Sequence, residues 1–169
     1  MRGVSSAISN RSVLLPGDVA PDFDLPALVA GVKKRFHLRE QLERSDVVLA
    51  FYPLNWNTVS ARQLAEYQAQ RAHIYPQAEF VGISVDSIMN TTVWEREIGP
   101  FEFPLCADFW PHGEVSRSYG VFREQPPLAG ASERAIFIIA RSGKVAFSRI
   151  YGLEDSPPIS DILQHLHRL

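Results

Sequence analysis

The sequence predicts one α/β domain with a central mixed β-sheet flanked by helices. Three observations lead there. Val47-Val48-Leu49-Ala50-Phe51-Tyr52 and Phe80-Val81-Gly82-Ile83-Ser84-Val85 are near-continuous apolar runs of strand length, the pattern of strands covered on both faces. Helical stretches separate them, which requires parallel strands joined by crossovers. Two further strands, over residues 135–139 and 145–150, are joined by the turn Arg141-Ser142-Gly143-Lys144, so a late hairpin adds an antiparallel pair.

The chain has 169 residues, 46% apolar and 21% charged, enough for one core. A net charge of -2 gives no reason to expect nucleic acid as a partner. No apolar run approaches the roughly 20 residues of a membrane span. Residues 1–12 are small and polar, with Arg2 and Arg11. They lack the apolar stretch of a signal peptide, so a loose arm ahead of a single domain over residues 13–169, and a cytoplasmic location, are expected. Cys106 is the only cysteine. It excludes an intrachain disulfide, a Cys-x-x-Cys pair and a cysteine-rich zinc site.

In order, residues 31–35 form a basic turn and residues 36–42 a short strand running into a helix. The strand over residues 47–52 ends at Pro53. A helix over residues 60–75 follows, with Leu64, Tyr67, Ala72 and Ile74 apolar and Pro76 closing it. Ser60 lies in its first turn, where serine is a suitable cap. After the strand over residues 80–85 come a helix over residues 91–98 stopped by Gly99-Pro100, a short strand over residues 103–106, and a short helix over residues 113–119. The late hairpin precedes a last helix over residues 159–169.

Five stretches carry a family resemblance. They are residues 17–26 (Gly17-Asp18-Val19-Ala20-Pro21-Asp22-Phe23), 51–60 (Phe51-Tyr52-Pro53-Leu54-Asn55-Trp56-Asn57-Thr58-Val59-Ser60), and 82–87. The others are residues 103–122, with Trp110, His112-Gly113 and Tyr119-Gly120, and Arg134 ahead of Ile136-Phe137-Ile138-Ile139. At this order and spacing the chain resembles the peroxiredoxins, nearest to the one-cysteine branch related to alkyl hydroperoxide reductase. The resemblance implies a thioredoxin fold of peroxiredoxin type and thiol-dependent reduction of hydroperoxides. It also implies a homodimer and a small hydroperoxide ligand with a thiol reductant. No cofactor and no metal are expected.

The family's active-site pattern is proline, three residues, threonine or serine, two residues, cysteine. Pro53 and Arg134 match it. Asn57 stands at the hydroxyl position, Ser60 at the cysteine, and Gln63 where the family usually has glutamate. In that chemistry a thiolate attacks the peroxide and becomes a sulfenic acid, which a thiol reduces. A helix N-terminus and a neighbouring cation bring a cysteine from about 8.5 to about 3.5–7.5. An alcohol ionises about as reluctantly as bulk water, so the same lowering leaves it neutral at about pH 7, and its oxygen has no sulfenate to form. The expectation is therefore a peroxidase-inactive chain with a pocket for an oxyanion or peroxide at Ser60, Asn57 and Arg134. Two alternatives stand beside it. One is an active thiol peroxidase whose native cysteine was replaced by serine or whose work falls to Cys106. The other is a hydrolase using Ser60, which lacks the Gly-x-Ser-x-Gly elbow.

The remaining candidates have structural readings. Cys106 suits a buried apolar position. Arg134 has an alternative as an ion pair with Glu133 or Asp22. His165 and His167 do not share a helix face and suit a solvated helix end. His112 suits a turn. Trp56, Phe109, Trp110 and Phe122 read as core, or by resemblance as a dimer interface near the site.

Overall fold

The computed structural model describes residues 12–169, so the expected arm falls outside the described residues except for Ser12. Along the chain come β1 (Asp24–Val29), β2 (Val32–His37), α1 (Leu38–Leu42), β3 (Asp46–Phe51), α2 (Thr58–Ile74), β4 (Ala78–Ser84) and α3 (Ile88–Ile98). They are followed by β5 (Leu105–Ala107), α4 (Glu114–Ser118), β6 (Arg134–Ile139), β7 (Val145–Tyr151) and α5 (Ile159–Leu166). The strands form one mixed sheet in the order β2-β1-β5-β4-β3-β6-β7. β3 pairs parallel with β4 and antiparallel with β6, as the alternating and hairpin patterns require. Among the described residues no helix is long and apolar enough to cross a membrane.

Side chains of β3 alternate between two cores. Val47, Leu49 and Phe51 pack on one face with Leu38 and Leu42 of α1, Val115 of α4, and Phe137. Val48, Ala50 and Tyr52 pack on the other with Leu64 and Tyr67 of α2, Trp94 of α3 and Ile162 of α5. Burial on both faces is why residues 47–52 contain no charged or small polar side chain.

Two elements depart from expectation. β1 was not anticipated, because Pro26 argues against a strand. Pro26 pairs with Arg35 of β2 but lies outside the short contact with β5, which involves only Ala27 and Leu28. The basic segment is the strand β2 itself, and the turn is tighter, with Ala30 and Gly31 both at positive φ. α3 begins three residues before the expected Thr91, because Ser87 accepts a hydrogen bond from the Asn90 N–H and caps it there.

The core reading of three aromatic loop residues is also corrected. Trp56, Phe109 and Trp110 are 51%, 51% and 80% exposed and do not belong to the core. His165 is half-buried, its ring 4.1 Å from that of Phe147, so it is not a solvated helix end.

Leu49 is fully buried at the centre of the sheet. Leu49→Ala is expected to lower the unfolding free energy by about 2–5 kcal/mol, read by urea denaturation. A second expectation concerns His37, whose ring bonds the Asp22 carboxylate at 2.7 Å and lies 3.5 Å from Glu40. The bond to Asp22 raises the His37 pKa above its ordinary 6.5. Its stabilising contribution is therefore complete below that value and declines as pH rises through the raised one. His37→Gln should flatten the change in urea midpoint between pH of about 6 and about 9; an unchanged slope would dismiss the pair as its source.

Candidate functional site

The central strand β3 ends against Pro53, a buried ring that cannot continue the ladder, and the chain turns into α2. A polar network fixes the turn. Tyr52 Oη donates to Asn55 Oδ1 at 2.9 Å, and Asn55 Nδ2 donates to Asn90 Oδ1 at 3.0 Å and Thr91 Oγ1 at 2.9 Å. The Asn55 N–H donates to Asp86 at 2.8 Å. Trp56 holds a left-handed backbone with φ 64, uncommon for a bulky residue, while its indole N–H donates to Asn90 at 3.0 Å.

Asn57, and not Ser60, is the N-cap of α2: its Oδ1 accepts from the Ser60 N–H at 2.9 Å. An asparagine three residues ahead satisfies this first-turn donor and leaves Ser60 as the third helical residue. The Ser60 hydroxyl donates to the same Asn57 Oδ1 at 3.2 Å. Asn57 thus works as an acceptor here, and a thiolate in place of the hydroxyl would face an oxygen lone pair.

Arg134 reaches this turn because β6 runs antiparallel to β3, with Phe51 opposite Ala135. The first residue of β6 therefore lies at the end where β3 finishes. Its side chain is fully buried. Nη1 donates to Ser60 Oγ at 3.0 Å and Gln63 Oε1 at 2.8 Å, and Nη2 to Asn57 Oδ1 at 3.4 Å. Nε and Nη2 both donate to the Leu153 carbonyl, at 3.1 and 2.7 Å. The five N–H groups of a guanidinium thus have acceptors, and every acceptor is neutral. Desolvation lowers the Arg134 pKa from its ordinary value. Gln63 passes the network on, its Nε2 donating to Tyr67 Oη at 2.7 Å. The expected ion pairs are not formed: Glu133 pairs with Arg123 and Asp22 with His37 and Arg39.

The structure brings Ser60, Asn57 and Arg134 into direct contact, with Pro53 at the strand end before them. Gln63 and the Leu153 carbonyl complete the cluster. Gln63 shows in the sequence only as a departure from glutamate, and a backbone carbonyl carries no sequence signal. Ser60, like Arg134, is fully buried. The partners of its hydroxyl are an amide oxygen and a guanidinium, and among the described residues no histidine hydrogen-bonds it. A base for a serine nucleophile is missing. Cys106 sits in β5, fully buried in the core of the α1 and α4 face, whereas α2 packs on the other. Burial pushes its thiol well above the usual range, so it offers no accessible thiolate. His112 is exposed in a turn and bonds the Gly130 carbonyl at 2.7 Å.

Comparison with known proteins follows the same lines. Residues 16–148 match the AhpC/TSA family. Alkyl hydroperoxide reductase E of Mycobacterium tuberculosis is 35% identical over 139 residues, covering 79% of this chain and 84% of that protein. The chloroplastic 2-Cys peroxiredoxin BAS1 of Hordeum vulgare is 27% identical, covering 98% and 80%. The crystal structure of Enterococcus faecalis AhpC superposes with a TM-score of 0.82 at 24% identity, covering 92% of each chain. Mycobacterium tuberculosis AhpC gives 0.81 at 20% identity, covering 92% of this chain and 98% of its own; likeness at these identities speaks for the fold. With a matching family over most of its length, a relative of this closeness and a shared thioredoxin-type architecture, the chain belongs to the AhpC/TSA family of peroxiredoxins.

Proposed function

We propose that Ser60 occupies the place of the family's peroxide-attacking cysteine and that this chain, of one-cysteine type, does not turn over hydroperoxides. It keeps instead a pocket for a small oxyanion or peroxide-like ligand. The observation that carries this reading is the 3.0 Å contact between Arg134 and Ser60 Oγ in the first turn of α2. A helix N-terminus and a guanidinium with no carboxylate partner make an electropositive setting, where a sulfur would be stabilised as thiolate. Oxygen there cannot travel the sulfenate route. Cys106 is too deeply buried to take over the role, which argues against an active peroxidase in the chain as it stands.

Three matching departures, Asn57, Ser60 and Gln63, favour a natural change over a single replaced cysteine. Asn57 Oδ1 complements a hydroxyl that donates, and Gln63 accepts from Arg134 without adding charge. The hydrolase reading has no supporting observation, because among the described residues no base hydrogen-bonds the hydroxyl.

The test is hydroperoxide consumption with a thiol reductant. The unsubstituted chain is expected to show none above the no-protein background, while Ser60→Cys gains activity. The new thiol should titrate below the ordinary value of about 8.5, read from alkylation rate against pH. Adding Asn57→Thr should lower it further, because a hydroxyl donor replaces the facing amide oxygen. Rapid turnover by the unsubstituted chain, freed of metals, would sink the proposal.

A homodimer is part of the same reading. Trp56, in the turn that leads to the site, and Phe109, which shares a cavity lining with Leu54, stay exposed, as does the adjoining Trp110; exposed aromatics of this kind are enriched in interface cores. Sedimentation equilibrium should give twice the chain mass, and Trp110→Asp should shift it to one. A parent chain that sediments as a monomer would count against this surface as an interface.

A further inference from the structure

We propose that the loop over residues 152–156 is a gate on the Ser60 pocket, its Leu153 carbonyl holding the guanidinium edge that an incoming oxyanion would take. This rests on the reading of that pocket as an oxyanion site and adds its control. The Nη1 side of Arg134 is committed to Ser60 and Gln63 inside the fold. The opposite edge, Nε with Nη2, is the fork that grips two oxygens of a carboxylate or phosphate in parallel. In this structure that fork closes on one neutral carbonyl, at 3.1 and 2.7 Å.

The loop is suited to letting go. It joins β7 to α5 without regular structure, Glu154, Asp155 and Ser156 are exposed, and its internal backbone bond runs from the Asp155 N–H to the Gly152 carbonyl at 3.0 Å. Against it lies a cavity of about 420 Å³ lined by Val59, Arg62, Glu66, Glu154, Asp155 and Ser156. Three carboxylates against one guanidinium make this outer face of the loop unfavourable to an anion while the loop is closed. Displacing the loop carries Glu154 and Asp155 away together with the carbonyl. An oxyanion then exchanges one neutral acceptor for a charge-assisted, two-oxygen contact, roughly twice as strong per bond. Ligand entry and loop release are a single event, and the resting pocket is shut.

The experiment is a titration of the ¹⁵N-labelled full chain with inorganic phosphate, with chloride at equal ionic strength as control. The Arg134 Nε–H signal and the amides of residues 153–156 are expected to move along one binding curve. Leu153→Gly keeps the carbonyl but loosens the backbone, and should tighten binding by roughly two- to five-fold. A response of Arg134 with the loop amides unmoved would overturn the gate and leave the pocket standing. Absence of any Arg134 response in both proteins would overturn the pocket and the gate together.

Discussion

One buried guanidinium organises this end of the molecule. Arg134 enters from β6 and ties together the start of α2, through Ser60, Gln63 and Asn57, and the segment after β7, through Leu153. A cation withdrawn from water is costly unless its donors are all engaged, and here they are. The dependence runs both ways. Without the guanidinium, Gln63 Oε1 and the Leu153 carbonyl would lose the donors described here, while Asn57 Oδ1 would keep those of Ser60, and each buried polar group left unmatched costs on the order of 1–3 kcal/mol. The helix start, the strand start and the loop therefore hold one another in place. None of the acceptors brings negative charge, so the guanidinium is not neutralised by direct contact; the nearest carboxylates, Glu154 and Asp155, act on it from the loop.

The serine is not a neutral vacancy in this arrangement. Its hydroxyl donates to Asn57 and accepts from Arg134, filling both roles open to an alcohol. A thiolate fills only the accepting one. The amide oxygen of Asn57 matches the alcohol and mismatches an anionic sulfur, which links two residues that otherwise look like independent departures from the family pattern. Gln63 fits the same logic: it takes a hydrogen bond from Arg134 and gives one to Tyr67, a phenol that burial keeps neutral by raising its pKa.

Much of this was legible in the chain itself, for physical reasons that differ by element. The stretches 47–51 of β3, 80–84 of β4 and 135–139 of β6 announce themselves because burial on both faces leaves no charge within them. The pairing of Ser60 with Arg134 was legible from resemblance and not from spacing, since the two residues lie 74 positions apart in the chain. The cap was misplaced by three residues because serine and asparagine are about equally good caps, and only the geometry shows Asn57 in that role. β1 was hidden by Pro26. For Trp56 and Trp110 the sequence left two readings open, core or interface, because aromatic character signals burial without saying whether the burial lies within one chain; their exposure removes the first. Leu153 was unreadable because its main chain, not its side chain, makes the contact.

The antiparallel ladder between β3 and β6 has a consequence for tolerance to change. The separation of Ser60 and Arg134 is dictated by how two adjacent central strands lie, a distance that hydrogen-bonded backbones keep constant. The long excursion from α4 to β6, which passes through exposed proline-rich turns, has no say in it. Residues added to or taken from that excursion would leave the pairing of β3 with β6 as it is, and the hydroxyl and the guanidinium underneath would keep their separation.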